Sequence, residues 1–276
     1  MVWLPLAFFA LLTWSVQRVV TKAALVRWST ARFYRWNAIV SLLVYVPFAL
    51  VVPPDRDALP AAFAMALYMA GAFWVATEAT RRGPVGVVAP LTAASPAITV
   101  VLAMLVLGER PGALALGGVA CAVAAAILLA LRPAAAALGG WLGFALASLT
   151  LQGVGAFLAK VVVTAGGPTA LLVTSVLVQL VVGLYIARAE PIDPVANLRG
   201  MSLVVTLTLA AAALATIGYL SALSVGPASL VVPLVATSPA LGGLLGIFAL
   251  KEHASRRQYL GIAIGLVAIV LLAGPA

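Results

Sequence analysis

Apolar runs follow one another almost from end to end of this 276-residue chain. A helix needs about 20 apolar residues to cross the hydrocarbon of a bilayer. Hydrophobic residues make up 64% of the chain and charged residues only 8%, whereas a soluble domain carries about a quarter charged residues. The sequence therefore predicts an all-α integral membrane protein with ten transmembrane helices, at 3–22, 32–51, 60–80, 84–107, 113–131, 138–158, 168–187, 201–222, 227–250 and 257–274.

One stretch of the chain occurs twice. Residues 83–109 read GPVGVVAPLTAASPAITVVLAMLVLGE, and residues 226–252 read GPASLVVPLVATSPALGGLLGIFALKE, at a constant offset of 143 residues. Extended to 48 positions, the alignment contains 18 identities. Each half of the chain, 1–132 and 133–276, holds five predicted spans, so the second half must enter the bilayer from the other side. The pattern predicts two inverted five-helix repeats with a substrate site between them, the construction of secondary transporters that work by alternating access.

Both copies carry Pro, Ser-Pro and Glu at the same spacing, as Pro90, Ser95, Pro96 and Glu109 and again as Pro233, Ser238, Pro239 and Glu252. A TWSVQRVVTK segment ends at Lys22, a weaker echo of it ends at Lys160, and Arg35 lies near the start of the second span. Together these features resemble the EamA-type branch of the drug/metabolite transporter superfamily. The resemblance covers the whole chain and implies ten helices around a central cavity and transport without ATP. Arg18 and Glu78 depart from the pattern of that family.

The prolines of the repeated motif predict interrupted helices. Proline has no N–H to donate within a helix, so spans 4 and 9 should be bent or loosened there. The serine hydroxyl can satisfy a freed backbone group. Two bends at equivalent places favour gating elements, and static kinks that improve packing are the alternative. We interpret Glu109 and Glu252 as structural tethers, and the candidate gating residues are Pro90, Ser95, Pro96, Pro233, Ser238 and Pro239.

Three ionisable residues, Arg18, Arg35 and Glu78, lie well inside predicted spans. Such side chains are costly in a bilayer and usually face a cavity or a partner. We predict that the three approach one another across the cavity; a purely structural pairing of Glu78 with one arginine is the alternative. The surplus positive charge favours a carboxylate or phosphate, which Arg binds bidentately. The predicted substrate-binding residues are Trp14, Arg18, Arg35, Trp74, Glu78, Gln152, Gln179 and Tyr219.

These features favour a secondary transporter, with export as the direction, for a small amphipathic metabolite such as an amino acid or a related acid. A flippase for a polyprenyl-phosphate or phospholipid headgroup and a non-transporting membrane subunit are the alternatives. No Walker loop, HExxH, CxxC or nucleophile elbow occurs, so we expect neither enzyme activity nor a metal or cofactor, and proton coupling stays open. The expected partners are the lipid bilayer and an anionic or zwitterionic small molecule. We expect the protein to be a monomer or a homodimer.

The basic residues predict an orientation. They are spread over the loops despite a net charge of +9, which argues against a nucleic-acid partner. Three of them, Arg56, Arg110 and Lys160, fall on the side of the chain termini, and eleven fall on the other side. Cytoplasmic loops carry the excess of Lys and Arg. The charge bias therefore places both termini of this multi-pass protein outside the cytoplasm, across the inner (plasma) membrane, whereas the family resemblance implies both termini inside.

Overall fold

The computed structural model describes residues 2–25, 30–82, 88, 91–130, 141–189, 203–250 and 255–274, and no strand occurs among them. A backbone in lipid must satisfy its own N–H and C=O groups, and in a single apolar segment only a helix does so. The apolar runs accordingly form the helices α1 (Trp3–Leu25), α2 (Thr30–Val51), α3 (Leu59–Arg82), α4 (Ser95–Val106), α5 (Ala113–Ala130), α6 (Trp141–Ala189), α7 (Leu203–Val225), α8 (Ala228–Ala236), α9 (Ser238–Leu250) and α10 (Arg256–Ala273).

The helices are long and apolar enough for a membrane. Within the described ranges, seven helical stretches meet the length and hydropathy of a membrane span. Two shorter apolar helices, Leu91–Val106 and Ala113–Leu129, accompany them. One of the seven stretches, Ala228–Phe248, contains α8 and most of α9. The prediction of an all-helical, multi-pass membrane protein is confirmed.

A break divides α6 into two helices. Gly167 has φ 72° and ψ 172°, a backbone conformation that side-chain-bearing residues rarely adopt, and Pro168 follows it. Pro168 cannot continue the hydrogen-bond ladder of the preceding helix, and its fixed φ suits the first turn of a new one. The arms 141–166 and 168–189 are therefore separate helices joined by a turn of minimal length.

Close contacts at glycines show which helix ends share a face of the molecule. A Cβ at Gly226, in the turn between α7 and α8, would lie 2.6 Å from the Cβ of Trp3 at the start of α1. A Cβ at Gly118, in the first half of α5, would lie 2.8 Å from Leu272 Cγ near the end of α10. We call the face on which α1 begins and α10 ends the terminal face, and the other the opposite face.

The largest hydrophobic cluster among the described residues lies in the terminal half of the molecule. Smaller clusters in the opposite half include one of Val40, Val205 and Leu209. The large cluster joins the helix ends that meet at the terminal face, and its members include Trp3, Leu11, Met65, Ala103, Val119, Val163, Leu223, Val231 and Leu272. Burial of this apolar surface packs the helices of the terminal half together.

Candidate functional site

A cavity of about 470 Å³ lies among the helices. Side chains from α1 to α4 and from α6 to α9 line it, so both halves of the chain contribute to its wall. Ligand pockets in proteins commonly measure about 300–1,000 Å³. The cavity is therefore large enough for a small metabolite.

Five of the eight predicted substrate-binding residues line this cavity. Two come from the first half of the chain and three from the second. They are Trp14, Arg18, Gln152, Gln179 and Tyr219.

Arg18 is the charged residue of the described cavity lining. Its Nη2 donates to the Ser238 hydroxyl at 3.3 Å, and its aliphatic stem lies against α9, where a Cβ at Gly242 would come within 3.3 Å of Arg18 Cδ. No Asp or Glu belongs to the described lining. The guanidinium has five donors, of which this hydrogen bond uses one, so the cavity retains a positive group with the geometry to bind an anion.

An aromatic pair forms another part of the wall. The rings of Trp14 and Tyr219 lie with their centroids 5.3 Å apart at an interplanar angle of 51°. The indole N–H of Trp14 donates to the carbonyl oxygen of Ala212 at 3.4 Å, which ties α1 to α7. A tilted pair at this distance is a favourable arrangement for aromatic rings. The pair gives the cavity an apolar surface, of which Trp14 lies one turn before Arg18 on α1 and Tyr219 lies on α7.

Polar and small residues of α6 complete the wall. Gln152 Nε2 donates to the Ser148 hydroxyl at 2.9 Å. Gln179 Oε1 is buried and has no hydrogen-bond partner in the part of the chain that the structure describes. Small residues at 155, 156 and 159 follow Gln152 at helical spacing and line the cavity with it. Because these side chains are small, they leave part of the cavity unfilled.

In the part of the chain that the structure describes, Arg18, Arg35 and Glu78 do not come together on this cavity, and their meeting stays a prediction. Neither Arg35 nor Glu78 is among the residues that line it. Glu78 Oε1 accepts a hydrogen bond of 2.6 Å from Arg82 Nε one helical turn further on, near the end of α3. Arg35 lies beside the second arm of α6, where a Cβ at Gly183 would come within 3.7 Å of its Cγ. An i, i+4 partner on the same helix thus binds the carboxylate that the sequence pattern assigns to the cavity.

Trp74 was also predicted to line the cavity, and its placement differs from that prediction. Its side chain is 63% exposed on the outer surface of α3, and it is not part of the cavity wall. Phe73 beside it is exposed as well. Large aromatics on the outer face of a membrane helix contact lipid, because lipid replaces water as the surrounding medium.

The helix is interrupted before each Ser-Pro pair, as the sequence predicted. Ala94 has φ −81° and ψ −1°, and Thr237, its counterpart 143 residues later, has φ −77° and ψ −4°. The N–H of each donates to the carbonyl three residues earlier, at 3.3 and 3.2 Å. Both breaks adjoin the cavity, whose lining includes 95–96 and Ser238. The two halves share the same local interruption, and its role as a gate stays a prediction.

Pro233, Pro239 and Glu109 are not among the residues of the described cavity lining. Pro233 is fully buried inside α8, and Pro239 is the second residue of α9. Glu109 follows α4 and binds the first turn of α8. Pro90 and Glu252 lie outside the described residues, so the predictions for them stay as they were.

Sequence reasoning missed several residues that shape the site. Ser15 is fully buried, and its hydroxyl lies 2.6 Å from the Leu11 carbonyl oxygen and 3.2 Å from that of Ser238. It thereby holds α1 against the break that precedes α9. Met65 and Met69 contribute flexible apolar surface one turn apart on α3. Ser15 precedes Arg18 by three residues, and small residues of α6 follow Gln152 by three and four. This helical spacing could have indicated that they share a face with those two residues.

The fold and site define a multi-pass helical membrane protein with a ligand-sized cavity formed by both halves of the chain. Residues 1–131 and 139–274 match the EamA-like transporter family, so the chain belongs to that family, in the drug/metabolite transporter superfamily. It is a membrane transporter, as the sequence motif predicted. A solved structure described only as "Crystal structure of protein" has a similar fold, with a TM-score of 0.77 and 15% identity over 98% of this chain and 95% of that one. No curated protein matches the sequence.

Proposed function

We propose that this transporter moves a small amphipathic metabolite with an acidic group, such as an amino acid or a related acid, and that export is the direction. The observation that carries the proposal is Arg18, a cation on the wall of a cavity whose described lining holds no carboxylate. A buried cation without a counter-charge is costly, and an anionic substrate group relieves that cost. The aromatic pair beside it suits the apolar part of the same molecule.

We also propose the finer architecture in which ten spans form two inverted repeats. When α6 is counted as two helices and α8 with α9 as one, the described helices correspond to the ten spans predicted from the sequence. Inversion is supported by Glu109, which ends the first copy of the repeated stretch and contacts Ala228, near the start of the second copy. The two copies therefore run in opposite directions relative to the terminal face.

The coupling of transport to an ion is a separate part of the proposal. Carboxylates are the usual proton carriers of membrane transporters, and the described cavity lining contains none. We propose facilitated movement of the substrate down its own gradient through this cavity. A proton-coupled cycle would need a titrating group outside the described lining.

The test is uptake by purified protein in proteoliposomes. A panel of an acidic amino acid, a neutral amino acid and a quaternary ammonium drug separates the substrate classes. We expect the acidic compound to be transported and the cation to be rejected, and preference for the cation would contradict the proposal. A fluorescent-phospholipid flipping assay on the same vesicles identifies a flippase, and its activity without solute transport would replace the proposed function.

A further inference from the structure

Glu109 caps the N-terminus of α8 with both carboxylate oxygens. Its Oε1 accepts from the backbone N–H of Ala228, and its Oε2 accepts from that of Ser229, each at 2.8 Å. The first N–H groups of a helix have no partner within the helix and carry the positive end of its dipole. A carboxylate that takes two of them therefore binds this end of α8 firmly.

Gly108 places Glu109 in this position. It follows α4 with φ 66°, and beyond it the N–H of Glu109 reaches back to the carbonyl oxygen of Ala103 at 3.2 Å. A reversal of this kind is a common way to end a helix, and glycine adopts it without strain. The end of α4 is thereby shaped so that the Glu109 side chain points across to the second half of the chain.

Lys160 binds the other side of the same turn. Its Nζ donates to the carbonyl oxygens of Leu223 at 2.8 Å and Gly226 at 2.9 Å, and it lies 3.4 Å from that of Ser224. These carbonyls end α7, where the helix dipole is negative and the last C=O groups have no helical partner. Glu109 thus binds the start of α8 and Lys160 binds the end of α7, the two helix ends that this turn joins.

The α7–α8 turn separates the cavity from the terminal face. Gly226 packs against Trp3, and residues 228–235 of α8 are all buried. Val232 and Val235 of the same helix line the cavity on their inner side. A substrate that left toward the terminal face along this part of the wall would have to displace the turn.

Glu109 and Lys160 differ in which parts of the chain they join. Glu109 belongs to the first repeat, and the turn that it binds belongs to the second; Lys160 and the same turn both lie in the second repeat. In an alternating-access transporter, groups of helices rock or gate around the site, so that some contacts between the repeats change. If the α7–α8 turn moves away from the end of α4, the Glu109 contacts break, whereas Lys160 can move with the turn.

We propose that Glu109 is a latch, which holds the terminal face closed and releases α8 when the cavity opens to that face. The proposal rests on the transport function proposed above and on alternating access, which the inverted repeats predict. Loss of the latch removes interactions that only the closed arrangement makes, so it shifts the population toward the arrangement open to the terminal face.

The test measures access to the cavity without any substrate. Cys121 is the only cysteine, so Cys121→Ala gives a background in which Ser175→Cys places one thiol on the cavity wall. A membrane-impermeant thiol reagent is applied from the terminal face of oriented vesicles. We expect slow labelling when Glu109 is present and labelling about tenfold faster after Glu109→Gln, because a charge-assisted hydrogen bond is lost. Asp57→Asn, an exposed acid in the turn at the same face, is the matched control and should leave the labelling rate unchanged.

A second variant removes the donor instead of the carboxylate. Ala228→Pro deletes the N–H that Glu109 Oε1 accepts, and proline is tolerated in the first turn of a helix. The preceding Pro227 is already extended, with ψ 130°, which is the conformation required before proline. Faster labelling from the terminal face is expected here too. If melting temperature and elution volume show that Glu109→Gln does not fold, the labelling rate of Ala228→Pro decides whether the latch exists.

Unchanged labelling in a folded Ala228→Pro or Glu109→Gln protein would overturn the latch. Equal labelling of the parent protein from both faces would overturn it as well. Because these measurements use no substrate, failure of the latch leaves the proposed substrate class standing. A failed substrate assay in turn leaves the labelling result intact.

Discussion

Arg18 in α1 and Ser238 in α9 meet at the edge of the cavity, where the guanidinium Nη2 lies 3.3 Å from the serine hydroxyl. Ser238 is the first residue after the break in the second copy of the repeated stretch. The charge that binds substrate in our proposal is therefore in contact with the segment that the repeat predicts to move. An anion that competes for this guanidinium would act directly on the helix break.

Replacement of Arg18 by Gln is expected to weaken binding of an acidic substrate about tenfold or more, because a hydrogen bond to a charged group contributes about 1.5–3 kcal/mol. Neutral substrates should lose much less. The concentration dependence of uptake in proteoliposomes measures the effect. Glu78→Gln is the comparison, since Glu78 bonds Arg82 and lies off the cavity wall.

We expect Glu78→Gln to change the apparent affinity less than Arg18→Gln does. The i, i+4 pair that it disrupts lies off the described cavity wall, so its loss acts on the end of α3 and not directly on the bound substrate. A larger loss for Glu78→Gln than for Arg18→Gln would show that the carboxylate acts on the substrate in an arrangement other than the one observed.

Pro96→Ala and Pro239→Ala test the helix breaks as moving parts. Alanine supplies the missing N–H and favours a continuous helix, so each variant should resist bending at its break. We expect a lower maximal transport rate with little change in apparent substrate affinity, measured by initial rates over a range of concentrations. Pro47→Ala, at a proline inside α2, is the control. Wild-type rates for both break variants would favour static kinks.

Lys160→Met is expected to destabilise the protein. Its loss leaves the carbonyls of Leu223 and Gly226 without this donor next to a partly buried turn. Unsatisfied buried acceptors cost about 1–3 kcal/mol each. A fall in melting temperature in detergent, larger than that of Arg56→Met at an exposed loop position, would support this role. Equal melting temperatures would show that water replaces the ammonium.

The orientation of the chain is predicted from charge alone. Arg56, Arg110 and Lys160 belong to the terminal side, and the sequence places eleven basic residues on the opposite side. We expect the opposite face to be cytoplasmic, because cytoplasmic loops carry the excess of Lys and Arg. Reporters fused after Ala276 measure this. Activity of a reporter that works only in the cytoplasm would show that the terminal face is inside.

The candidate site could be predicted from the sequence only in part. Helical spacing placed Trp14 and Arg18 on one face, and Gln152, Gln179 and Tyr219 were recognised as polar residues within apolar spans. The same reasoning put Trp74 and Glu78 on the cavity, although their side of α3 faces outward or toward Arg82. Periodicity tells which residues of a helix share a face. It does not tell which face the neighbouring helices cover.

The sequence by itself determined the all-helical fold, the membrane class, and the breaks before both Ser-Pro pairs. Each of these depends on chemistry local to one segment, since lipid requires apolar helices and proline lacks an N–H donor. The tertiary structure alone decided that Glu109 meets Ala228 and that Lys160 meets Leu223. These partners lie 119 and 63 residues apart in the chain. Such contacts follow from the packing of helices against one another, because a charged side chain binds whichever unpaired helix end the fold brings within its reach.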